Sequence, residues 1–535
     1  MAQDSREEDD EQLRLIMAAI HASVREAAEQ YGQAGNYVLG ANIAGCGTSP
    51  TRCLTNRSSD GPGGLGQAGF SVKEALVLIQ GGVVIDAAGE RPADVRTAQD
   101  GRVAEVSPGL DPLPGERVHD ASGKLVIPGG IDVHTHLHMP VGAVRVSDDF
   151  VSGTRAAAIG GTTTIIDYVT VMRGDDPMAT VATWRSWAEP SAIDWGLHLT
   201  FTEAVSESVV AAGVEAGITS FKLYLAYPDR LQVDDATIVR LMRAARRQGA
   251  LVTLHCENGG AIEELRREAL AAGRTDVIEH ARTRPAVLEA EAVARAAALA
   301  EVTSASIYIV HVSSAPALAA VRAAQERGVD IKAETCPQYL YLDVSRLEGP
   351  DAVDFVCTPP LRDPWHAEEL WQGLASGYVH TVATDHCPFW RADRRAGVAG
   401  RPGGVADFTD IPGGLPGIET RLALVYQGVR AGRISAADWV RLCAEAPART
   451  FGLWPAKGSL AAGADADVVV WDPNRHQSLA ADKLDMAVDQ SPYETIVSIG
   501  WPELVLSRGE PVAADGSFTG ELGWGRYLAR APLET

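Results

Sequence analysis

The sequence is poor in cysteine and has no arrangement of cysteines that would build a disulfide framework. Only seven of its 535 residues are cysteine, and none forms a CxxC pair. This usage excludes a small disulfide-stapled fold and favours reduced thiols in a cytoplasm. No run approaches the roughly 18 apolar residues of a transmembrane helix, and the acidic start, MAQDSREEDDEQ, lacks the features of a signal peptide. We therefore expect a cytoplasmic location.

Positive charge is also scarce. The chain has 47 lysines and arginines against 70 aspartates and glutamates, which gives a formal net charge of -23. Nucleic acid and anionic membrane surfaces would both repel such a protein. Neither is expected as a partner. The chain of 535 residues is long enough for one large domain with a smaller one beside it.

Residues 1–72 differ in texture from the rest of the chain. An acidic run is followed by apolar residues at helical spacing from Leu13 to Val24, and then by coil rich in serine, threonine and glycine. The stretch 13–45, with NYVLGANIAG, resembles the C-terminal tail of glutamate dehydrogenases, but none of that family's catalytic machinery is present. We expect an extension outside the catalytic unit, either an appended or misjoined segment or an interaction helix.

Two flanks of the chain carry short β-rich runs. Residues 73–125 contain ALVLI, VVID, ADVRT and RVAEV, and residues 450–525 contain DADVVVWD, TIVSI and ELVLSRG. Turn residues separate these runs, as in small antiparallel sheets. The pattern predicts one small β-sandwich built from both flanks, with 526–535 as a tail.

Between the flanks, residues 126–449 alternate apolar strand candidates with amphipathic helices. The eight candidates are LVIPGGIDVHTH, GTTTIIDYV, DWGLHLTFT, SFKLYLAY, LVTLHCEN, SIYIVHVS, DIKAETCPQY and HTVATDHCPF. Eight such alternations predict an α/β fold of the (β/α)8 TIM barrel class. Barrels of this class carry their chemistry at the C-terminal ends of the strands.

Potential metal ligands stand at the ends of strand candidates one, four, five, six and eight. They are His134, His136, Lys222, His255, His311 and Asp385. A single histidine at a strand end is more often a core residue, and a single aspartate is more often a cap. Because all six fall at equivalent barrel positions, they favour a hydrolase with two metal ions.

Lys222 is the unusual member of this set. A buried ammonium beside two divalent cations would be strongly unfavourable. If Lys222 is considered by itself, the alternative interpretation is a side chain that extends from a strand end to solvent. Neutralised and carboxylated by carbon dioxide, the amine becomes a carbamate that can bridge two metals, so the sequence favours N6-carboxylysine at this position.

Several motifs resemble, in order, those of hydantoinases and dihydropyrimidinases, the cyclic-amidohydrolase branch of the amidohydrolase superfamily. They include PGGIDVHTH, SFKLYLAY, LHCENG, ARTRP, VHVSS, ETCPQYLYLD, TPPLR, TDHCPF and DFTDIPGGLPGIETR. The resemblance covers about residues 75–530. It implies hydrolysis of a cyclic amide to an N-carbamoyl acid by a homotetramer that acts on small cyclic ureides.

The resemblance also implies a role for each site residue. One zinc ion would be held by His134, His136, Lys222 and Asp385, and the second by Lys222, His255 and His311. Asp385 would move the proton from water to the leaving nitrogen, and Tyr227 would stabilise the developing oxyanion. Tyr227, Thr358 and Gly413 would bind substrate.

The sequence departs from these relatives in a few places. Thr358 stands where many have serine, and Gly413 where they have asparagine. Both positions contact the substrate largely through backbone atoms in the family, so binding is expected to survive. Tyr168 replaces a histidine or phenylalanine, and the sequence assigns it no role.

Three other functions compete with this interpretation. Dihydroorotases typically carry an arginine where this chain has His138, which argues against a carboxylate clamp at that position. An allantoinase-like ureide hydrolase is the nearest alternative activity. A dihydropyrimidinase-like scaffold protein that has lost its metals is the alternative from another class, although all six ligand positions are occupied here.

Overall fold

The computed structural model describes residues 76–86, 89–228, 230–401 and 403–533. The predicted helix and coil of residues 1–72, and the stretch 13–45, lie outside these ranges. Among the described residues, no helix is both long enough and apolar enough to cross a membrane.

The first flank of the chain forms short strands. They are β1 (Val77–Gln80), β2 (Val83–Asp86), β3 (Gly89–Pro92), β4 (Asp94–Thr97), β5 (Val103–Ser107), β6 (Arg117–Asp120) and β7 (Leu125–Pro128). Their buried side chains are mainly valine, isoleucine and leucine, which pack well on a pleated surface.

The middle of the chain supplies eight parallel barrel strands and a short hairpin, β9 (Pro140–Val141) with β10 (Val144–Arg145). The barrel strands are β8 (Gly130–Thr135), β11 (Thr162–Val171), β12 (Asp194–Phe201), β13 (Ser220–Tyr224), β14 (Leu251–His255), β15 (Ile307–Ile309), β16 (Ile331–Thr335) and β17 (Thr381–Val382). They pair in chain order. A bridge between Thr135 and His386 links the two edge strands.

Helices cover the outside of the barrel. The α-helices are Phe150–Ile159, Pro177–Ala188, Glu207–Glu215, Asp235–Arg247, Gly259–Ala271, Glu279–Arg282, Ala286–Thr303, Ala315–Glu326, Pro337–Tyr341, Pro364–Ala375, Arg391–Ala396, Arg421–Arg430, Ala436–Val440 and Ala446–Thr450. Short 3-10 turns lie at Val344–Leu347, Ala352–Phe355 and Ala481–Lys483, and a π-turn at Arg441–Glu445. Asp149, Asp176 and Asp234 cap their helices through side-chain oxygens.

The second flank returns to the small domain. Its strands are β18 (Val468–Ser478), β19 (Val497–Ser507), β20 (Glu510–Ala514) and β21 (Ser517–Phe518). One sheet has the order β5-β4-β1-β6, and the other has the order β21-β20-β19-β18-β7-β2-β3. Side chains of both flanks share one apolar core. The predicted (β/α)8 barrel with a β-rich domain built from both flanks is confirmed.

One predicted barrel strand is two strands in the structure. The run from Leu125 pairs with β18 and β2 of the small domain as far as Pro128, and only Gly130–Thr135 belongs to the barrel. Gly129 lies at the crossing, where a β-carbon would be 2.1 Å from Thr163 Oγ1. An apolar run cannot reveal such a change of sheet, because both segments are buried.

Buried ion pairs join the small domain to the amino end of the barrel. Lys457 Nζ lies 2.6 Å from Asp194 Oδ2 and 2.8 Å from Asp467 Oδ2. Burial opposes the charge of Lys457, but these carboxylates raise its pKa above the usual range. The C-terminal segment packs at the same end, where Leu528 N donates to Trp195 O. The opposite, C-terminal end of the strands remains open for the site.

Candidate active site

The C-terminal ends of the barrel strands surround a cavity of about 260 Å³. Eight of the nine predicted site residues line it: His134, His136, Tyr227, His255, His311, Thr358, Asp385 and Gly413. Lys222 does not line the cavity, because its fully buried side chain lies beneath the floor. The structure therefore brings together the residues that the strand-end pattern singled out.

His134, His136 and Asp385 form the first ligand group. Asp385 Oδ1 lies 3.2 Å from His134 Nε2 and 3.1 Å from His136 Nε2. Burial alone would raise the pKa of Asp385, but His134, His136 and His311 hold it well below its usual value. The three side chains are close enough to hold one metal ion.

His255 and His311 form the second group. His255 Nδ1 lies 2.9 Å from His311 Nε2, and His255 Nε2 lies 2.7 Å from Glu257 Oε2. Because the Glu257 carboxylate accepts a hydrogen bond from His255 Nε2, the lone pair of His255 Nδ1 faces His311. The ring centroids of His134 and His311 are 5.5 Å apart, so the two groups adjoin.

The charge of Lys222 acts on residues of both groups, namely His136, His255 and His311. The Lys222 Nζ atom is buried without a hydrogen-bond partner among the described residues, 5.1 Å from the ring centroids of Tyr168 and Tyr224. Burial lowers the pKa of Lys222 to about 8. A lysine buried without a partner would, in its ammonium form, lose its hydration and gain no hydrogen bond in exchange. The position suits a neutral or modified amine.

Two buried carboxylates that contact the ligand histidines were not identified from the sequence. Glu334 Oε1 lies 2.6 Å from His134 Nδ1, and Glu257 lies between His255 and Arg284, whose Nη1 is 2.8 Å from Glu257 Oε2. Burial would raise the pKa of Glu257, but Arg284 and His255 lower it to about 2. Glu334, Glu257 and Arg284 belong to the motifs ETCPQYLYLD, LHCENG and ARTRP, respectively. The spacing of these motifs does not show which residue contacts a histidine ring.

Tyr227 lies beside the second histidine group. Its ring centroid is 5.3 Å from that of His255, and the Arg284 guanidinium carbon is 5.4 Å from it. Burial raises the pKa of Tyr227 to about 12, although Arg284 opposes the shift. The hydroxyl therefore keeps its proton near neutral pH and can donate a hydrogen bond.

Thr358 and Gly413 lie next to each other at the cavity wall. A β-carbon on Gly413 would be 3.1 Å from Thr358 Oγ1. His280 contacts the same wall, because its Nε2 is 2.9 Å from Cys357 O and 3.4 Å from Thr358 Oγ1. The larger asparagine of some relatives would crowd Thr358, so the two departures from the family pattern fall on a single surface.

Several site residues have left-handed backbone conformations. The φ angles are 66° at Tyr227, 41° at His311 and 51° at Asp385. Residues with side chains rarely adopt this region, and such strain is concentrated at functional sites. The conformation turns each side chain at the point where its strand has ended.

Tyr168, to which the sequence assigned no role, lies directly under the first ligand group. Its ring centroid is 4.8 Å from that of His134, 5.3 Å from that of His136 and 4.3 Å from that of His198. His198 Nε2 is 2.9 Å from Val133 O on the first barrel strand. Tyr168 thus provides a rigid apolar support for both histidines.

The donor set fits divalent metal ions. Imidazole nitrogens and a carboxylate oxygen are ligands that zinc commonly takes in proteins. One group joins His134, His136 and Asp385, the other joins His255 and His311, and the Nζ of Lys222 is buried without a partner among the described residues. This arrangement is typical of a hydrolytic metal centre.

The Amidohydrolase family model matches residues 125–512. The chain is 44% identical over 466 residues to a D-hydantoinase of Streptomyces coelicolor, with 85% of this chain and 98% of that protein covered. It is 43% identical over 462 residues to a D-hydantoinase of Geobacillus stearothermophilus, with 85% and 96% covered.

Solved structures agree with these sequence comparisons. A dihydropyrimidinase from Brevibacillus agri has a TM-score of 0.83 and 39% identity, and the match covers 86% of this chain and 100% of that one. The resemblance indicated by the motifs of the sequence is thereby confirmed. The chain belongs to the amidohydrolase family, among its hydantoinases and dihydropyrimidinases.

Proposed function

We propose that this protein hydrolyses the cyclic amide bond of hydantoins or dihydropyrimidines and releases N-carbamoyl amino acids. The observation that carries the proposal is the adjoining pair of ligand groups above a buried, unpartnered lysine. The similarity to D-hydantoinases over nearly their whole length supports the same substrate class.

Two divalent metal ions, which we propose to be zinc, would be shared among six residues. His134, His136 and Asp385 would hold one, His255 and His311 would hold the other, and carboxylated Lys222 would bridge them. When bound, such ions lower the pKa of a water molecule and polarise a carbonyl group. The buried, unpartnered Nζ of Lys222 supports its modification, because a carboxylated amine carries no unpaired ammonium charge and offers oxygen ligands.

Asp385 would act as the base. Its carboxylate is ionised, so it could accept a proton from a water molecule whose own pKa the bound metal ions would lower. It would then pass that proton to the ring nitrogen as the carbon–nitrogen bond breaks. The left-handed backbone at Asp385 fixes the carboxylate where it faces both histidines of the first group.

Tyr227 would stabilise the oxygen of the attacked carbonyl as it becomes negative. A protonated hydroxyl in a buried site is an effective donor to such an oxygen. Thr358 and Gly413 would hold the ring amide, largely through backbone atoms, on the cavity wall that they share. Exclusion of water by the surrounding buried residues would strengthen these hydrogen bonds.

We propose that the protein is a cytoplasmic homotetramer. A homotetramer is expected from the family resemblance. A cytoplasmic location agrees with five buried cysteines that are free thiols, namely Cys256, Cys336, Cys357, Cys387 and Cys443.

The test is a substrate panel combined with metal analysis of the purified full chain. Hydantoin, 5-substituted hydantoins, dihydrouracil and allantoin would be scored for ring opening, and metal would be counted per chain. We expect opening of hydantoins or dihydrouracil and close to two equivalents of metal. Turnover of allantoin alone would instead support an allantoinase-like enzyme.

A protein that opens no ring and holds close to zero metal would instead be a non-catalytic scaffold. His255→Ala separates these cases, because it removes one ligand of the second group. The proposed enzyme would lose activity in this variant, whereas a scaffold protein would keep its function.

A further inference from the structure

Two arginines lie at the outer part of the cavity. Arg230 is exposed, and the side chain of Arg266 is 24% exposed, whereas His134 at the floor is 1% exposed. All three line the same cavity. A ring bound at the floor would therefore direct its substituent outward, toward the two guanidinium groups.

These arginines differ from the third one in the cavity, Arg284. The Arg284 guanidinium is buried and engaged with Glu257, so its charge is already balanced. Arg266 Nη1 forms an ion pair with Glu263 Oε2 at 2.9 Å, and the Asp407 carboxylate also interacts electrostatically with this guanidinium. Arg230 has no side-chain hydrogen bond or ion pair with any residue that the structure describes.

The cavity lining adds little negative charge beyond the Glu263 partner of Arg266. Within the described part of the chain, Asp385 is the single carboxylate among its lining residues, and it lies at the floor. The remaining outer wall is largely apolar, with Met139, Val141, Met172, Leu231 and Phe408. On a protein of net charge -23, the exposed guanidinium of Arg230 places a positive charge at the cavity mouth.

We propose that Arg230 and Arg266 select cyclic ureides whose ring substituent carries a carboxylate. This inference rests on the proposed function and names the substrate class of the same site. The substituent's methylene groups would pack on the apolar wall while the carboxylate meets the guanidinium groups. The reaction is unchanged: water adds to the ring carbonyl, the carbon–nitrogen bond breaks, and the nitrogen receives a proton.

The test compares two substituents of nearly equal shape. 5-(2-Carboxyethyl)hydantoin and 5-(2-carbamoylethyl)hydantoin are nearly isosteric, but the first carries a negative charge and the second is neutral, with an NH₂ group in place of one oxygen. At low salt we expect kcat/KM of the unaltered protein to favour the carboxylate about fivefold, since exposed ion pairs contribute about 0.2–1 kcal/mol each. The preference would lie in KM, because the contact is the same before and during reaction. It would shrink at high salt.

The double variant Arg230→Gln with Arg266→Gln should bring the ratio close to one. Arg267→Gln is the matched control, because Arg267 is the next residue on the same helix, pairs with Glu264 and does not line the cavity. It removes one positive charge and should keep the preference. A control that lost the preference equally would show a general charge effect and overturn the assignment.

Unsubstituted hydantoin in the same assay separates the two hypotheses. Turnover of hydantoin with no preference for the carboxylate, or a preference that the double variant keeps, would overturn this inference and leave the proposed function standing. Dihydrouracil is assayed beside them: its opening without that of any hydantoin would overturn this inference alone, and opening of none of the four rings would overturn the proposed function, and this inference with it.

Discussion

His134 Nδ1 lies 2.6 Å from Glu334 Oε1, and both side chains are buried. The same carboxyl oxygen accepts a hydrogen bond from His311 N at 3.0 Å, and Tyr308 donates to the other oxygen at 2.8 Å. Glu334 therefore supports a residue from each ligand group. It sets the tautomer of His134 so that the Nε2 lone pair faces Asp385.

Glu334→Gln should weaken metal binding without removing any ligand. An amide can present its NH₂ group to His134, which would no longer be held in the correct tautomer. Loss of such a partner typically reduces metal affinity about 10- to 100-fold. Metal retained after dialysis against a chelator would be measured in Glu334→Gln and in Glu326→Gln, a control on an exposed helix surface. Equal retention in both would contradict the role of Glu334.

Lys222→Met should abolish incorporation of carbon dioxide at the site. Methionine fills a similar volume without a charge, so the variant is expected to fold. Protein prepared with ¹³C-labelled bicarbonate should show a carbamate signal by NMR, and that signal should be missing in Lys222→Met. Lys332→Met, on the partly exposed start of β16, should retain the signal. If wild-type protein prepared with labelled bicarbonate held its full metal content but gave no carbamate signal, the modification would be disproved.

Tyr227→Phe should lower kcat far more than it changes KM. The hydroxyl is proposed to act on charge that develops only in the transition state, and removal of such a donor costs about 10²–10³ in kcat. Because burial raises the pKa of Tyr227 to about 12, its ionisation should not produce a loss of activity between pH 7 and about 10. Steady-state kinetics of both proteins across that range would check this, and an unchanged kcat with a raised KM would indicate a binding role alone.

The barrel and most of the site could be predicted because strand ends are visible in a sequence. Buried parallel strands are continuous apolar runs, and a polar residue that follows one of them stands out. His255 after LVTL and His311 after IYIV are such cases. Because strands of a barrel share one carboxyl end, ordering them was enough to bring these side chains together.

The supporting contacts could not be predicted in the same way. Glu334 and Glu257 also follow or end apolar runs, but which ring nitrogen each one meets depends on side-chain rotamers across neighbouring strands. The change of sheet at Gly129 was hidden because both segments are apolar. Arg230 and Arg266 lie far apart in sequence, and only the folded loops place them at one cavity mouth.

Glu419→Gln should make the free energy of unfolding fall less as pH rises. Glu419 is 2% exposed, and its Oε2 accepts hydrogen bonds from Asp485 N at 2.7 Å and Met486 N at 3.3 Å. Burial, with a contribution from the negative Asp485 and Asp148, raises its pKa to about 8.

The folded state therefore keeps the Glu419 proton more tightly than the unfolded state does. Stability from this group is fully present below the ordinary glutamate pKa and is lost as pH rises toward about 8. The loss in wild type should exceed that in Glu419→Gln by about 1–3 kcal/mol, because an amide does not ionise. Unfolding by urea at pH 5 and pH 9 would measure it, with the exposed Glu521→Gln as control. A pH dependence identical in all three proteins would show that Glu419 ionises normally in the fold.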